Sequence, residues 1–291
     1  MKSLKGLGVA MVTPFNSDKS IDYPALIKLT HYLIDNNVDY LVVQGTTGES
    51  PTLSKDEKQK VLDTVIKENA GRLPIVYGVG GNNTALVAEE LKCFDNKDVD
   101  AILSVSPYYN KPTQEGIYQH FKTISKASKL PIILYNVPGR TGSNVLPATT
   151  VRLAKDCENI VAIKEASGDL EQVMNIINTK PKDFLVISGD DALAMPFISI
   201  GGDGVISVIG NGLPKEFSAM VNAALNNKTV EARALHYKCF PLIDHLFSEG
   251  NPAGVKEVLN FYKICKIDVR LPLINVSVDT KQQIVEFLNK L

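Results

Sequence analysis

Cysteine is scarce in this chain of 291 residues, and its spacing does not fit a disulfide framework. The cysteines are scattered and form no C-x-x-C motif; they are Cys93, Cys157, Cys239 and Cys265. Disulfide networks are typical of small secreted domains, whereas isolated cysteines are typical of a reducing compartment. We therefore expect a cytoplasmic protein whose thiols are reduced.

Long runs of one charge and long apolar segments are also missing. The 31 basic residues are balanced by 32 acidic ones, and neither sign forms a long run, so we expect no nucleic-acid surface and no polybasic membrane patch. No apolar stretch approaches the ~18 to 20 residues that span a bilayer. The apolar run at residues 6–15 is short, contains glycines and lacks a small-residue cleavage site, so we expect no signal peptide. A protein that acts on small molecules is favoured.

The sequence offers no cluster of metal ligands. The histidines lie in helical patterns; they are His31, His120, His236 and His245. Asp190 and Asp191 are adjacent, but no further ligand accompanies them at metal-binding spacing, so turn or hydrogen-bonding roles are favoured. We expect neither a metal ion nor an organic cofactor.

Short apolar runs alternate with helical patterns along most of the chain. Near-continuous apolar runs are typical of parallel strands covered on both faces, and patterns such as residues 23–37 and 54–70 predict the crossover helices that parallel strands need. The runs are GLGVAMVTPF, YLVVQG, PIVYGVG, AILSVSP, PIILYNVP, IVAIKEAS, FLVISGDD and GVISVIGN. Eight β/α units predict an α/β protein built on a closed (β/α)8 TIM barrel.

A doubly wound open sheet is the alternative arrangement. Such a sheet normally has fewer strands, and its dinucleotide-binding form needs a G-x-G-x-x-G turn. The segment GVGGNN at 78–83 lacks the third glycine, so the barrel is favoured. From about residue 214 onward, the strand patterns stop and the sequence contains only helical patterns. We predict a catalytic barrel over residues 1–224 and a C-terminal helical domain over residues 225–291.

Polar side chains gather where the predicted strands end. In barrel enzymes the chemistry takes place at the carboxyl ends of the strands and in the loops that follow them. These positions carry Thr13, GTTGES (45–50), GGNN (80–83), PYYN (107–110), YNVPGRTG (135–142), Lys164 and SGDD (188–191). Hydroxyls, an arginine and a lysine are thus predicted to converge on one rim.

Lys164 stands within the otherwise apolar segment 160–167, and it has two interpretations. It is either an ordinary surface lysine at a strand end, or an amine held in a dry environment. Lysine is rarely buried unless it is paired, but desolvation favours the neutral amine, which can form a Schiff base with a carbonyl substrate. Tyr135, on the adjacent predicted strand, is then a suitable proton carrier.

The other rim residues also have ordinary interpretations when each is taken alone. In GTTGES, Thr47 or Ser50 is suited to cap the next helix. Tyr108 and Tyr109 are consistent with packing aromatics, and Arg140 with a solvated loop charge. The combination is more specific than any member, because a lysine beside tyrosine and threonine hydroxyls predicts Schiff-base chemistry without a metal.

The sequence resembles the dihydrodipicolinate synthase family, within the superfamily of pyruvate-dependent class I aldolases and N-acetylneuraminate lyases. The resemblance covers nearly the whole chain and rests on GVAMVTPF, GTTGESPTL, PYYNKPTQEG, YNVPGRTG, AIKEASGD, SGDD and GGDGVISV, in this order and at family-like spacings. It implies condensation of pyruvate with L-aspartate 4-semialdehyde, followed by cyclisation, in the diaminopimelate route to lysine. It also implies a homotetramer built as a dimer of dimers.

Catalytic roles are implied by the same resemblance. Lys164 would form the Schiff base with pyruvate, and Tyr135 would be the central acid and base. Thr47 would link Tyr135 to Tyr109, which in the family reaches across a dimer interface into the neighbouring subunit.

Binding roles are implied in the same way. Thr46 and Thr47 would hold the pyruvate carboxylate, while Gly189 and Ile206 would line the pocket. Arg140 would bind the carboxylate of the second substrate, which suits a bidentate guanidinium. Sialic acid lyases resemble this sequence in the lysine and the tyrosine but usually lack that arginine.

Three alternatives remain at this stage. The first is an N-acetylneuraminate lyase or another pyruvate-dependent aldolase. The second is a non-catalytic barrel that binds a metabolite, which would be expected to have lost Lys164, Tyr135 or a relay residue; none is missing. The third is a barrel aldolase that uses GGDG at 201–204 for phosphate, a segment that we interpret as a tight turn.

The sequence departs from part of the family at the site of feedback inhibition. Lysine-inhibited synthases resemble one another in an interface pocket near GTTGES, where acidic and histidine side chains receive the lysine amino groups. Three residues of that pocket persist here: Ser50, Asn82 and Tyr108. However, Lys55 and Lys58 stand where sensitive enzymes tend to carry histidines, and Leu86 stands where they carry a glutamate.

We predict that millimolar L-lysine leaves the activity nearly unchanged. The cationic ligand would meet added positive charge and lose a carboxylate partner, which costs several kcal/mol, on the order of a hundredfold in affinity. An initial-rate titration measures the effect. Half-inhibition below about 1 mM, an affinity scale of roughly 4 kcal/mol, would contradict this interpretation of the pocket.

Overall fold

The computed structural model describes residues 3–95 and 97–291, and its parallel strands close into a barrel. Each strand pairs with the next, and β8 pairs with β1. The strands are β1 (Gly6–Ala10), β2 (Tyr40–Val43), β3 (Ile75–Gly78), β4 (Ala101–Val105), β5 (Ile132–Asn136), β6 (Ile160–Glu165), β7 (Leu185–Ser188) and β8 (Gly204–Ser207). The eight apolar runs thus contain the eight strands, and the predicted TIM barrel is confirmed.

Helices follow the strands and cover the outside of the barrel. The helices are α1 (Tyr23–Asp35), α2 (Lys55–Asn69), α3 (Thr84–Cys93), α4 (Gln114–Ala127), α5 (Pro138–Thr141), α6 (Pro147–Asp156), α7 (Leu170–Thr179), α8 (Ala194–Ser199), α9 (Pro214–Leu225), α10 (Thr229–Phe247), α11 (Ala253–Phe261) and α12 (Val278–Leu288). Polar side chains cap the amino ends of several helices. At α2, the Ser54 hydroxyl accepts from the Glu57 backbone amide, and the Glu57 carboxylate accepts from the Ser54 backbone amide.

Apolar side chains form two packed layers. One cluster fills the barrel interior and includes Val42, Val76, Tyr135 and Ile187. A larger cluster lies between the strands and the surrounding helices. Each fully buried aliphatic side chain contributes about 1.5 to 3 kcal/mol through the water-exposed area that it loses, so both layers favour the closed sheet.

The barrel closes tightly at the amino ends of its strands. Gly204 has a φ of +145°, and a Cβ there would lie 2.1 Å from the backbone oxygen of Gly6, so only glycine fits this approach. The preceding turn is held by Asp203, whose carboxylate accepts from the Val186 amide at 2.9 Å. The GGDG segment is therefore a turn at the end of the barrel opposite the predicted rim.

The C-terminal helical extension predicted from the sequence is present. Helix α9 packs against β1 and β8 and completes the last β/α unit, while α10, α11 and α12 pack on one another. Residues 224 and 225, where we placed the domain boundary, are the last two residues of α9; that division stays a prediction. Over the described ranges, every helix is too short or too polar to cross a bilayer.

Candidate active site

A cavity of about 680 Å³ opens at the carboxyl ends of the strands. Its wall consists of Thr46, Thr47, Tyr135, Val137, Gly139, Arg140, Lys164, Ala166, Gly189, Asp190, Ala192, Val208, Ile243, Asp244, Phe247, Ser248 and Asn251. Barrel loops supply one side, and α10 with the turn before α11 supplies the other. Most of the residues predicted to act together are thus neighbours, and the C-terminal extension contributes to the same cavity.

Lys164 lies in the barrel interior, between Tyr135 of β5 and Ile187 of β7 in the strand register. Its side chain is buried, with 5% of the residue exposed. The ammonium nitrogen, Nζ, is 4.3 Å from the centroid of the Tyr135 ring, and it forms no ion pair within residues 3–95 and 97–291. The amine therefore meets apolar and aromatic surroundings without a carboxylate partner.

The next residue, Glu165, is also buried but faces away from the barrel interior. Its carboxylate accepts from the side-chain amides of Asn136 at 2.9 Å and Gln172 at 3.0 Å, and from the backbone amide of Ser167 at 2.7 Å. Burial raises the pKa of Glu165, and these donors act in the opposite direction. Because strand residues alternate between faces, the only charged neighbour of Lys164 in this strand is held by amides behind the sheet.

Gly189 is packed directly against the lysine. A Cβ at this position would lie 2.6 Å from the Cβ of Ala166 and 3.0 Å from Cε of Lys164. Because these contacts are too short, a side chain at position 189 would force neighbouring atoms to move. Glycine at the end of β7 therefore leaves the space in which the lysine chain extends toward the cavity.

The loop after β2 presents Thr46 and Thr47 to the cavity, and it is anchored on both sides. The Thr13 hydroxyl donates to the Gly48 carbonyl at 2.7 Å. From the C-terminal extension, the Asn251 side-chain amide donates to Oγ1 of Thr47 at 2.9 Å. Glu49, the next residue in this loop after Gly48, has a left-handed backbone with a φ of +54°, which costs a non-glycine residue about 1 to 2 kcal/mol.

Glu49 forms a fully buried ion pair with Lys256 of α11. The two charged atoms are 2.7 Å apart, and Lys256 also donates to the Asp268 carbonyl while the second Glu49 oxygen accepts from the Arg270 amide. Burial lowers the pKa of Lys256, and Glu49 opposes that shift. A buried pair is stable only when its remaining hydrogen bonds are satisfied, as they are here.

Two contacts in this region were not predicted from the sequence. Asn251 and Lys256 are more than 200 residues from Thr47 and Glu49 along the chain, and no strand pattern marks them. One feature of the sequence could have indicated the Lys256 contact. Lys256 and Glu257 lie within the otherwise largely apolar segment AGVKEVLNF, and a lysine buried there needs a partner.

Arg140 and Asp190 both lie on the cavity wall, and they differ in whether neighbouring residues bind their side chains. Arg140 is on the single-turn helix α5, is exposed, and forms no ion pair among the residues described. Asp190 accepts from the backbone amides of Ala192 and Leu193. The guanidinium thus remains available to a ligand, whereas Asp190 has the turn role that the sequence favoured.

The neighbouring Asp191 is buried behind the cavity. One carboxylate oxygen accepts from the amides of Val208 and Ile209 at 3.0 and 2.9 Å, and burial raises the pKa of Asp191 to about 6. This contact links the ends of β7 and β8. Neither aspartate belongs to a group of three or more potential metal ligands among the described residues.

Tyr109 and Ile206 lie outside the cavity. Tyr109 is 83% exposed and has a φ of +77°. We expected Ile206 to line the cavity wall. It packs instead in the barrel interior, in the same apolar cluster as Tyr135. Val208, two residues further along the same face, lines the wall instead.

Comparisons with known proteins agree on a single enzyme family. The model of the dihydrodipicolinate synthetase family matches residues 3–291. A 4-hydroxy-tetrahydrodipicolinate synthase of Flavobacterium psychrophilum is 56% identical over 291 residues, covering 100% of this chain and 99% of the relative.

Solved structures agree along the whole chain. Dihydrodipicolinate synthase from Aquifex aeolicus superposes with a TM-score of 0.95 at 40% identity, over 99% of this chain and 98% of that one. The enzyme from Acinetobacter baumannii, solved in complex with pyruvate, gives 0.95 at 39% identity over the same shares.

Replacing Gly189 by alanine tests the fit around Lys164. We predict that Gly189→Ala slows formation of a covalent pyruvate adduct at least tenfold, because the added methyl group displaces the lysine chain. Gly139→Ala is the matched control, since a Cβ at this other cavity glycine meets nothing within 4 Å. Borohydride trapping rates measure both variants; equal rates in the two would show that the close approach of Gly189 has no functional consequence.

Proposed function

We propose a residue-level mechanism for this chain, which belongs to the dihydrodipicolinate synthetase family. It is a lyase that condenses pyruvate with L-aspartate 4-semialdehyde to give 4-hydroxy-tetrahydrodipicolinate, in the pathway to diaminopimelate and lysine. Enzymes of this family are class I aldolases that need no cofactor. The observation that carries the mechanism is the buried Lys164 amine, which is unpaired among the described residues, beside Tyr135 in the cavity.

Lys164 is the proposed nucleophile. Its neutral amine attacks C2 of pyruvate, and the resulting carbinolamine loses water to give an iminium ion. Loss of a methyl proton then produces an enamine. Its carbon attacks the aldehyde of the second substrate, the aldehyde oxygen takes up a proton, and the iminium ion is re-formed. The amino group of that substrate finally attacks the iminium carbon, so the ring closes and Lys164 is released as the free amine. The burial of Lys164, and the lack of an ion-pair partner for its amine among the described residues, support this role.

Tyr135 is the proposed proton carrier. Tyr135 stands directly beside Lys164 in the strand register, and its ring centroid is 4.3 Å from the amine nitrogen. This proximity supports a role for Tyr135 in moving protons during water loss and enamine formation. Thr47 is the proposed link to Tyr109. The hydroxyl of Thr47 already accepts from Asn251, whereas no hydrogen bond to the Thr46 hydroxyl occurs within the described ranges. Thr46 is therefore a second candidate for the same link.

Tyr109 is proposed to act in a second copy of the chain. Its side chain is exposed and outside its own cavity, which is consistent with a residue that reaches a neighbouring subunit. A homotetramer built as a dimer of dimers would supply such contacts, and we propose this assembly together with a cytoplasmic location. Asn82 donates to the backbone of Tyr108 at 3.3 Å and supports the loop that presents Tyr109.

Arg140 is the proposed ligand of the second substrate's carboxylate. An exposed guanidinium on the cavity wall can form a bidentate pair with a carboxylate. Thr46 and Thr47 are proposed to hold the pyruvate carboxylate on the opposite side, close to the lysine. Two carboxylate sites of this kind would set the distance between the reacting carbons, which is how positioning lowers a bimolecular barrier.

Trapping with borohydride tests the nucleophile. We predict that pyruvate plus borohydride irreversibly inactivates the enzyme and leaves a reduced adduct on Lys164, because reduction converts an imine to a stable secondary amine. Peptide mass mapping locates the adduct, and Lys164→Ala should resist inactivation. An adduct on a different lysine, or unchanged inactivation of Lys164→Ala, would refute the assignment.

Substitution of Arg140 should separate the two substrates. We predict that Arg140→Ala retains pyruvate adduct formation within a few-fold but loses about a hundredfold or more in condensation, since one charge-assisted bidentate contact contributes about 3 kcal/mol. Coupled-rate and trapping assays measure the two steps. Arg152→Ala, a surface arginine paired with Glu115, is the matched control. Equal loss of both steps in Arg140→Ala would indicate a structural role.

A further inference from the structure

The hydrogen bond between Asn251 and Thr47 joins the C-terminal extension to the barrel inside the cavity wall. Both residues line the cavity, and both are buried, with 6% of Asn251 and 2% of Thr47 exposed. The Asn251 amide nitrogen donates to Thr47 Oγ1 at 2.9 Å. Five residues further along, Lys256 holds Glu49 of the same loop, so the position of Asn251 relative to Thr47 is fixed by a buried ion pair.

The direction of this hydrogen bond determines what the Thr47 hydroxyl can do. A hydroxyl has one donor hydrogen and two acceptor lone pairs. Because Asn251 occupies an acceptor position of Oγ1, the hydroxyl hydrogen is free to point to a different atom. No acceptor for it occurs among the described residues, and Thr47 is one of the residues that line the cavity.

The second polar atom of Asn251 makes no competing contact. The side-chain oxygen is buried and has no hydrogen-bond partner within residues 3–95 and 97–291. A buried acceptor without a partner is destabilising, and buried polar atoms in native proteins usually have one. The contact with Thr47 is thus the single side-chain hydrogen bond that this buried amide makes in the described structure.

We propose that Asn251 is a positioning residue that directs the Thr47 hydroxyl toward the carboxylate of pyruvate. This inference rests on the proposed function and adds a residue from outside the barrel to it. It commits the single hydroxyl hydrogen of Thr47 to the carboxylate, so the link to Tyr109 then passes through Thr46, the second candidate for that role. A carboxylate only accepts hydrogen bonds, so it binds a hydroxyl that is already oriented as a donor without a cost for reorienting it. Without the amide, the hydroxyl rotates freely and a water molecule competes for it.

Pyruvate binding to Asn251→Ala tests the proposal. The concentration of pyruvate that gives half-maximal borohydride trapping should rise about tenfold to a hundredfold, the value of one hydrogen bond to a charged group. Acetone, a ketone without the carboxylate, should be trapped at a rate within twofold of the unsubstituted enzyme. Equal slowing with both ketones would mean a general disturbance of the site and would overturn the proposal.

A double substitution shows whether Asn251 acts through Thr47. In a Thr47→Val background, adding Asn251→Ala should weaken pyruvate binding less than twofold, because the oriented hydroxyl is already absent. Additive effects would overturn the proposal. Asn260→Ala, the same side chain removed from the exposed face of α11, should bind pyruvate normally; weakened binding there would assign the loss to the helix rather than to Asn251.

Asn251→Asp tests the direction of the bond in a side chain of the same shape. A carboxylate accepts from Thr47 and reverses the hydroxyl, so the trapping constant for pyruvate should rise at least as much as in the alanine variant. Unchanged affinity would overturn the proposal. Failure of the proposed function itself is distinguishable, because neither ketone would then label Lys164 in the unsubstituted enzyme.

Discussion

The register of β6 between β5 and β7 is the constraint on which the active site depends. It places Lys164 level with Tyr135 on one side and Ile187 on the other, and strand alternation directs the lysine inward while Glu165 is directed outward. A slip of one residue would exchange the two side chains, so a carboxylate would face the cavity. The amides that hold Glu165 behind the sheet therefore also keep Lys164 in place.

A second constraint comes from the C-terminal extension, which the barrel alone could not replace. The loop after β2 carries a left-handed glutamate, and the Glu49 and Lys256 pair holds that backbone against its preference. Removing one partner of a buried pair costs about 3 to 5 kcal/mol, because the other charge is left without compensation. The extension therefore stabilises the loop that presents Thr46 and Thr47, and it also supplies Asn251 and part of the cavity wall.

The fold and most of the rim could be predicted from the sequence because both are encoded by local patterns. Apolar runs of strand length give the eight strands, and the carboxyl ends of parallel strands must meet on one rim, which brings Lys164, Tyr135 and Arg140 together. Ile206 shows the limit of this reasoning: its strand and face were predictable, but its depth in the barrel depends on the stagger between strands. Val208 reaches the cavity because it is one alternation nearer the rim.

Contacts between distant segments could not be predicted in this way. Nothing in the local pattern around Asn251 or Lys256 specifies which loop they meet, because that depends on how the extension folds back over the barrel. The resemblance to a known family supplied roles for residues within motifs, and it was silent about these two. Buried polar residues outside the motifs became interpretable only when their partners were known.

A crystal structure of the enzyme soaked with pyruvate would show directly whether Lys164 is the nucleophile. We predict continuous electron density from Nζ of Lys164 to C2 of pyruvate, with the substrate carboxylate within hydrogen-bond distance of the loop at Thr46 and Thr47. Discrete pyruvate with no bond to Lys164, or a covalent bond to any other residue, would contradict it.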